Sequence, residues 1–191
     1  MLAIKGFNSK LQATLGKGIF QFEPGVTYEE EACKCASNGF HCAEDPLCAF
    51  GYYSTMDSRY FVVRAEGDIN QDGSGRVSCT QITLVKEITR IELAAQACRY
   101  MEKYPERKVS SNKLVKERGM CTEKDDFIIV RGKHPAAAGV KGSYLFLMQE
   151  KPKSREIKLI YPIFVDGEEV RENTYYGLKG TELCKKKNLR N

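Results

Sequence analysis

The chain predicts an α+β fold: an N-terminal mixed sheet with two main helices, followed by a strand-rich C-terminal part. Three observations carry that expectation. Two helix starts, Asp45-Pro46 and Thr89-Arg90-Ile91-Glu92, both lie in the first 108 residues. Alternating apolar runs such as Arg59-Tyr-Phe-Val-Val-Arg-Ala65 surround them, with the period of two that marks a half-buried strand. Beyond Asp125-Asp126 only strand-like runs and turn residues follow. The expected division is an α+β domain over 1–108 and a β-rich region over 109–191, packed on it or extending it.

Leu2-Ala3-Ile4 reads as a strand ending at Lys5-Gly6, and Ile19-Phe20-Gln21-Phe22 as a second strand after the Gly16-Lys17-Gly18 break. Glu23-Pro24-Gly25 is a turn, since proline presets one dihedral and glycine accepts a positive one. Val26 to Tyr28 continues extended, and Glu29-Glu30-Glu31 suits a solvated face. Asn38-Gly39 is a strong turn pair leading into a short strand, Phe40 to Ala43. Asp45 can cap free amides and Pro46 suits the first helical position, so a helix is expected over Pro46 to Tyr53. Thr89 and Glu92 form a capping box. It opens a helix to about Tyr104, with Ile91, Ala94, Ala95, Cys98 and Met101 on one face and Pro105 as its stop. Ser110 to Arg118 reads as a further short helix. Phe127–Arg131, Gly142–Gln149, Ile157–Phe164 and Thr174–Leu178 read as strands, and Asp166-Gly167 as a hairpin turn. Pro135 to Gly142 looks like one rung of an array of small-residue turns, with His134 exposed in a loop before it.

Composition narrows the class. With 42% apolar and 29% charged residues among 191, disorder is not the default. The longest apolar runs, such as Tyr144-Leu-Phe-Leu-Met148, are too short to cross a bilayer. The first residues lack a basic lead and a long apolar stretch, so no signal peptide is expected. A cytoplasmic protein is the resulting expectation. A net charge of +5 is mild, and the one basic run, Lys185-Lys186-Lys187 with Arg190, is terminal. Nucleic-acid binding is therefore not indicated. The sequence leaves the oligomeric state open.

The stretch richest in groups able to do chemistry is Asn38 to Tyr53, which holds His41, Cys42, Glu44, Asp45 and the Tyr52-Tyr53 pair. Eight cysteines include Cys33, Cys35, Cys42 and Cys48 close by. Their spacings do not repeat the paired pattern of a structural zinc site, so they are expected as thiols and no metal is assigned. Cys42 follows His41 directly, and neighbours on a strand point to opposite faces, which places the two badly for joint nucleophilic catalysis. Asp68-Ile-Asn-Gln-Asp-Gly73 imitates the opening of a calcium loop. The twelfth position is Cys79 rather than a bidentate acid, and Val77–Val85 alternates like a strand, so a polar hairpin is expected there.

Lys5-Gly6-Phe7, Gly39-Phe40-His41-Cys42, Asp45-Pro46-Leu47, Gly67-Asp68-Ile69, Gly139 to Leu145 and Val165-Asp166-Gly167-Glu168 together resemble a family of phage and prophage proteins with no assigned chemistry. That resemblance implies a mobile-element origin and a bacterial host cytoplasm. It makes the leading expectation a phage-encoded accessory protein that binds and inhibits a host bacterial protein, for instance a defence system in the manner of an anti-CRISPR protein. Tyr52-Tyr53 and Tyr175-Tyr176 are the candidate contact anchors, and no cofactor is expected on that reading. The order of a strand ending in Lys5-Gly6, then Gly-Phe-His, a Tyr-bearing helix and a strand is also similar to ADP-ribosyltransferase-like folds. This second resemblance implies an enzyme that uses NAD to modify a host macromolecule. Lys5 and Gly6 would then contact the cofactor. His41 or Tyr52/Tyr53 would position the nicotinamide ribose, and Glu66 would stabilise the developing cation. A virion or assembly component without enzymatic role is the third expectation.

Overall fold

The structure is a computed structural model that describes residues 1–16 and 18–186. Lys17, Lys187 and Arg190, which belong to the glycine break and the basic run, lie outside the described residues. The α+β, strand-rich class holds, with thirteen strands and two helices among the described residues. The chain divides into two compact units, Met1–Leu93 and Ala94–Asn191.

In the first unit the strands are β1 (Leu2–Phe7), β2 (Gln12–Ala13), β3 (Phe20–Gln21), β4 (Thr27–Glu29), β5 (Phe40–Ala43), β6 (Arg59–Gln71) and β7 (Arg76–Ile88), with helix α1 (Pro46–Tyr52) between β5 and β6. The main sheet runs β4-β7-β5-β1-β6, and β6 also pairs with β7. The ladder β7-β5-β1-β6 therefore returns on itself. Every pairing in it is antiparallel, rather than mixed as expected; β6 and β7 form a hairpin, and the other pairs join strands distant in sequence. Inside this ring lie Ala3, Phe7, Phe40, Cys42, Phe61, Val63, Ala65, Val77, Cys79, Ile82 and Leu84, joined by Leu11 and Phe22. Alternation along β6 (61, 63, 65) sends these side chains inward and leaves Arg64 and Glu66 outside.

The β6–β7 hairpin turns at Asp72 to Gly75, where Asp72 accepts from the Ser74 amide and pairs with Arg76. The segment after the calcium-like loop is strand, as expected. A bulge between Glu66 and Ile69 absorbs the extra residue. There Gly67 takes φ +69°, and the Asp68 amide donates to the Thr80 hydroxyl at 2.8 Å. Helix α1 begins as the sequence dictates: the Asp45 carboxylate accepts from the Leu47 amide at 2.9 Å and Pro46 follows it. Its Phe50 ring stacks on Tyr60, and the Arg90 guanidinium sits 4.9 Å from the Phe50 centroid.

Helix α2 (Arg90–Lys103) carries the capping box in full. The Thr89 hydroxyl accepts from the Glu92 amide at 3.1 Å, and the Glu92 carboxylate accepts from the Thr89 amide at 2.7 Å. Its buried stripe is Leu93, Ala94, Ala97, Cys98 and Met101. Ile91 and Ala95, expected on that face, are only half-buried.

The second unit contains β8 (Leu114–Cys121), β9 (Phe127–Gly139), β10 (Tyr144–Glu150), β11 (Ile157–Phe164), β12 (Tyr176–Lys179) and β13 (Glu182–Lys185). Two expectations fail here. Ser110–Arg118 does not form a helix, because Leu114 onward is strand β8. Pro135–Gly142 is not a turn array, because strand β9 runs through Pro135 to Gly139 and carries His134. Both β8 and β10 lie parallel to β9, although connections of only a few residues join them. Parallel neighbours in a flat sheet need a crossover of about a dozen residues. This chain coils instead. β8 turns a corner at Glu117, at φ +60°, where the pairing register with β9 shifts. The Glu117 carboxylate caps the matching corner of β9 by accepting from the Lys133 and His134 amides at 2.9 and 3.0 Å. Asp166-Gly167 does form a turn, held by Asp166 accepting from the Glu168 and Val170 amides. Its flanking strands do not make a hairpin: β11 pairs with β10, whereas β12 pairs with β9 and β13. The interior is Cys121, Ile128, Val130, Ala137, Leu145, Leu147, Ile163, Val165 and Tyr176.

Candidate functional site

The first unit contains a cleft of about 650 Å³ at a seam in its own sheet. Strands β1 and β5 pair at one position only, Ile4 opposite Ala43. Continued antiparallel pairing would set Lys5 opposite Cys42 and Gly6 opposite His41, but the strands part there. β5 stays on β7 instead, from Phe40–Cys79 to Ala43–Arg76. The loop before β5 holds it on that side. The Ser78 hydroxyl donates to the Asn38 carbonyl at 2.6 Å, and Gly39 turns at φ +78° with Cys33 and Ser78 against its α-carbon. Across the opened seam the Lys5 amine donates to the His41 carbonyl at 2.6 Å, so a side chain takes the place of a ladder bond.

Lys5, Gly6, His41, Tyr52 and Tyr53, drawn from β1, β5 and α1 with its C-cap, all line this cleft. Glu66 does not. It lies exposed on the outer face of β6, with its carboxylate 3.0 Å from the Arg64 guanidinium. Glu66, the acid expected for an ADP-ribosyl transfer, is thus not brought to the other five residues; the carboxylate in the lining is Glu30.

Each lining group has its own constraint. Lys5 is 8% exposed, with the Phe7 and Phe22 ring centroids 5.5 and 5.4 Å from its nitrogen. Burial pulls its pKa down, and the neighbouring Cys42 and Cys79 thiols oppose that only in part. Those two thiols hydrogen-bond each other; that contact first, and burial second, pushes Cys42 well up, so it stays a thiol. His41 is half-buried, and its Nε2 accepts from the Ala36 amide at 3.0 Å. An imidazole that accepts at Nε2 is neutral, which agrees with the direction of its pKa: burial and then the Lys5 charge lower it. This ring ties the loop before β5 in place. Tyr53 is similarly committed, since its hydroxyl accepts from the Thr14 amide at 2.7 Å and its carbonyl accepts from the Tyr60 hydroxyl. Gly6 leaves room for the Tyr53 ring, which would stand 3.0 Å from any β-carbon there. Tyr52 is half exposed at the rim, where Arg76 donates to its hydroxyl. Hydrogen bonds from Ser74, and then from Arg76, hold Asp72 at about 2, so the Arg76–Asp72 pair is charged.

Sequence reasoning missed the opposite wall: Phe20, Phe22 and Phe40 also line the cleft, as does Arg76. The alternation Phe20-Gln21-Phe22 shows a strand in the sequence, but nothing in it reveals that β3 folds over β5. Phe20 lies 5.8 Å from Phe40 and 4.7 Å from Phe22, centroid to centroid. The cysteine-rich run makes no cluster that could hold a metal among the described residues. The Cys33 and Cys35 thiols donate to the Asp68 and Asn70 carbonyls at 3.2 and 3.0 Å. In the second unit Tyr176 belongs to the core and its hydroxyl accepts from the Arg171 amide, while the Arg118 guanidinium covers Tyr175 at 3.5 Å. Of the four tyrosines proposed as contact anchors, Tyr52 is the exposed one.

Residues 1–96 match the sequence model of a family described as a domain of unknown function, DUF7666. The chain belongs to this family. No curated protein and no solved structure matches it. The DUF7666 region spans β1 to the first turns of α2, so every residue that lines the cleft falls inside it. No helix of the described residues is long and apolar enough to cross a membrane.

Proposed function

We propose that the DUF7666 region is a small-molecule-binding domain whose cleft takes a compact organic ligand with a planar ring. One observation carries this reading: side chains from separate strands, a helix end and a hairpin converge on one concave site that the sheet itself opens. Its size falls within the range of about 300–1,000 Å³ common to ligand pockets, and aromatic walls with a few polar groups are their usual lining. Phe20, Phe22 and Phe40 in the lining suit a planar ring, while the charged groups there include Glu30 and Arg76, the latter already paired with Asp72. A ligand-observed NMR screen of ring-bearing fragments tests it. Saturable binders are expected, with affinity lowered at least tenfold by Phe20→Ala. A screen without any binder sensitive to that change would refute it.

A second reading is an NAD-using enzyme, favoured by the presence of Lys5, Gly6, His41, Tyr52 and Tyr53 around the one cleft. Transfer would need an acid other than Glu66. Calorimetric titration with NAD, and labelled NAD added to a bacterial lysate, test binding and transfer separately. Inhibition of a host protein by a phage-encoded factor rests on the sequence resemblance, and a role in virion assembly on the strand-rich C-terminal part with its small residues. Affinity capture from a bacterial lysate tests the first and light scattering the second.

A further inference from the structure

Lys5 is an unusual lysine. Lys86, Lys113 and Lys151 each meet a carboxylate, Glu92, Asp126 and Glu156 respectively. Among the described residues Lys5 forms no ion pair; its amine has one acceptor there, the His41 carbonyl, and otherwise faces two phenylalanine rings and the thiols of Cys42 and Cys79. It is buried within the ring of strands, yet it belongs to the cleft wall. An amine kept from water and from carboxylates loses much of its preference for the charged form. In its uncharged form it carries the free lone pair with which lysines act as carbonyl nucleophiles.

We propose that Lys5 captures a carbonyl compound: its amine condenses with an aldehyde or ketone on a ring-bearing ligand that enters the cleft. The inference rests on the cleft being a binding site and names the class of its ligand. In the step, the nitrogen lone pair attacks the carbonyl carbon and a C–N bond forms. The former carbonyl oxygen takes a proton to become a hydroxyl. That hydroxyl then leaves as water with the second amine hydrogen, and a C=N bond remains. Nothing is oxidised or reduced, and one water is released. The aromatic wall would hold the ring.

The full chain is incubated at pH 7 with 4-carboxybenzaldehyde, reduced with sodium cyanoborohydride and mapped by peptide mass spectrometry, with non-covalent binding of the probe followed by NMR. Occupancy at Lys5 is expected at least tenfold above that of any other lysine, and Lys5→Met should reduce total labelling to the background of exposed lysines. Labelling spread over exposed lysines with none at Lys5 would overturn the proposal. If the probe still binds saturably without a Lys5 adduct, the imine falls and the binding site stands. If it neither binds nor labels Lys5, the imine falls, and the fragment screen decides the binding reading by itself.

Discussion

Replacing Lys5 by methionine should make the protein more stable. The amine's hydrogen bond to the His41 carbonyl contributes about 1 kcal/mol net, and in the variant that carbonyl borders the cleft, where water can take it up. Against this stands the cost of holding a polar head with one acceptor among Phe7, Phe22, Cys42 and Cys79, about 1–3 kcal/mol on mutational scales. Methionine has a similar unbranched length and settles readily against aromatic rings. The expected net gain is about 0–2 kcal/mol at pH 7, read from urea unfolding followed by circular dichroism and tyrosine fluorescence, since the chain has no tryptophan. The pH dependence is a second signature. The folded-state pKa of Lys5 is lowered from 10.5, so the unfolded chain holds a proton that the folded chain resists. Wild-type stability from this group therefore rises with pH towards 10.5 and is lost as pH falls, whereas the variant lacks that slope. A variant less stable than wild type by more than 1 kcal/mol at pH 7, with an unchanged slope, would refute the reasoning and remove the case for an amine retained at a cost in stability.

Three other perturbations test separate parts of the structure. Gly39→Ala places a β-carbon 2.7 Å from Cys33 and 2.8 Å from Ser78 at φ +78°, so strain and overpacking together should cost about 2–5 kcal/mol in the same unfolding assay. A loss below 1 kcal/mol would mean the loop before β5 is not held as described. His41 has a lowered folded-state pKa, so its contribution is complete above about 6.5 and declines as pH falls below that value. His41→Asn should flatten the stability profile between pH 7 and 5, and an unchanged profile would show that His41 is not the group responsible. In the second unit Arg131, 7% exposed, meets Glu150 at 2.8 Å and donates to the Pro105 and Arg155 carbonyls. Arg131→Leu should cost about 3–5 kcal/mol by leaving Glu150 unpaired, and adding Glu150→Leu should recover most of it. Equal losses in the single and double variants would contradict that account.

Local chemistry made much of this fold legible. Asp45-Pro46 and the Thr89/Glu92 box are short-range devices whose partners lie within three residues, and both helices start where those residues demand. β5 and the inward face of β6 were equally plain, because alternation is a local property. The second unit was harder to read for a physical reason. Ala136-Ala137-Ala138-Gly139 carries no β-branched or aromatic residue, yet it is strand through its pairing with β8 and β12. A β-carbon on Gly139 would meet the Ser143 hydroxyl at 2.2 Å, and one on Gly119 would meet Val115 at 2.3 Å. Coiling, not propensity, selects those residues. Likewise Leu114–Cys121 has no alternation to show, since a corner at Glu117 interrupts it.

The cleft was legible only in pieces, because what creates it is a ladder that stops. Asn38-Gly39 reads as a turn, His41 as a histidine on a strand and Lys5 as a strand end. The structure makes them one device. Gly39 and the Ser78–Asn38 bond hold β5 on β7, and the imidazole fixes the loop through the Ala36 amide. The freed His41 carbonyl then needs a donor from β1, and Lys5 supplies it. Glu66 illustrates the converse. Its place in the order of elements suggested a site residue, but on β6 an even position faces outward when 61, 63 and 65 face in, and that parity alone separates it from the cleft. The same parity puts Lys5 inside with Ala3 and Phe7, so one rule applied to two strands excludes the expected acid and admits the buried amine.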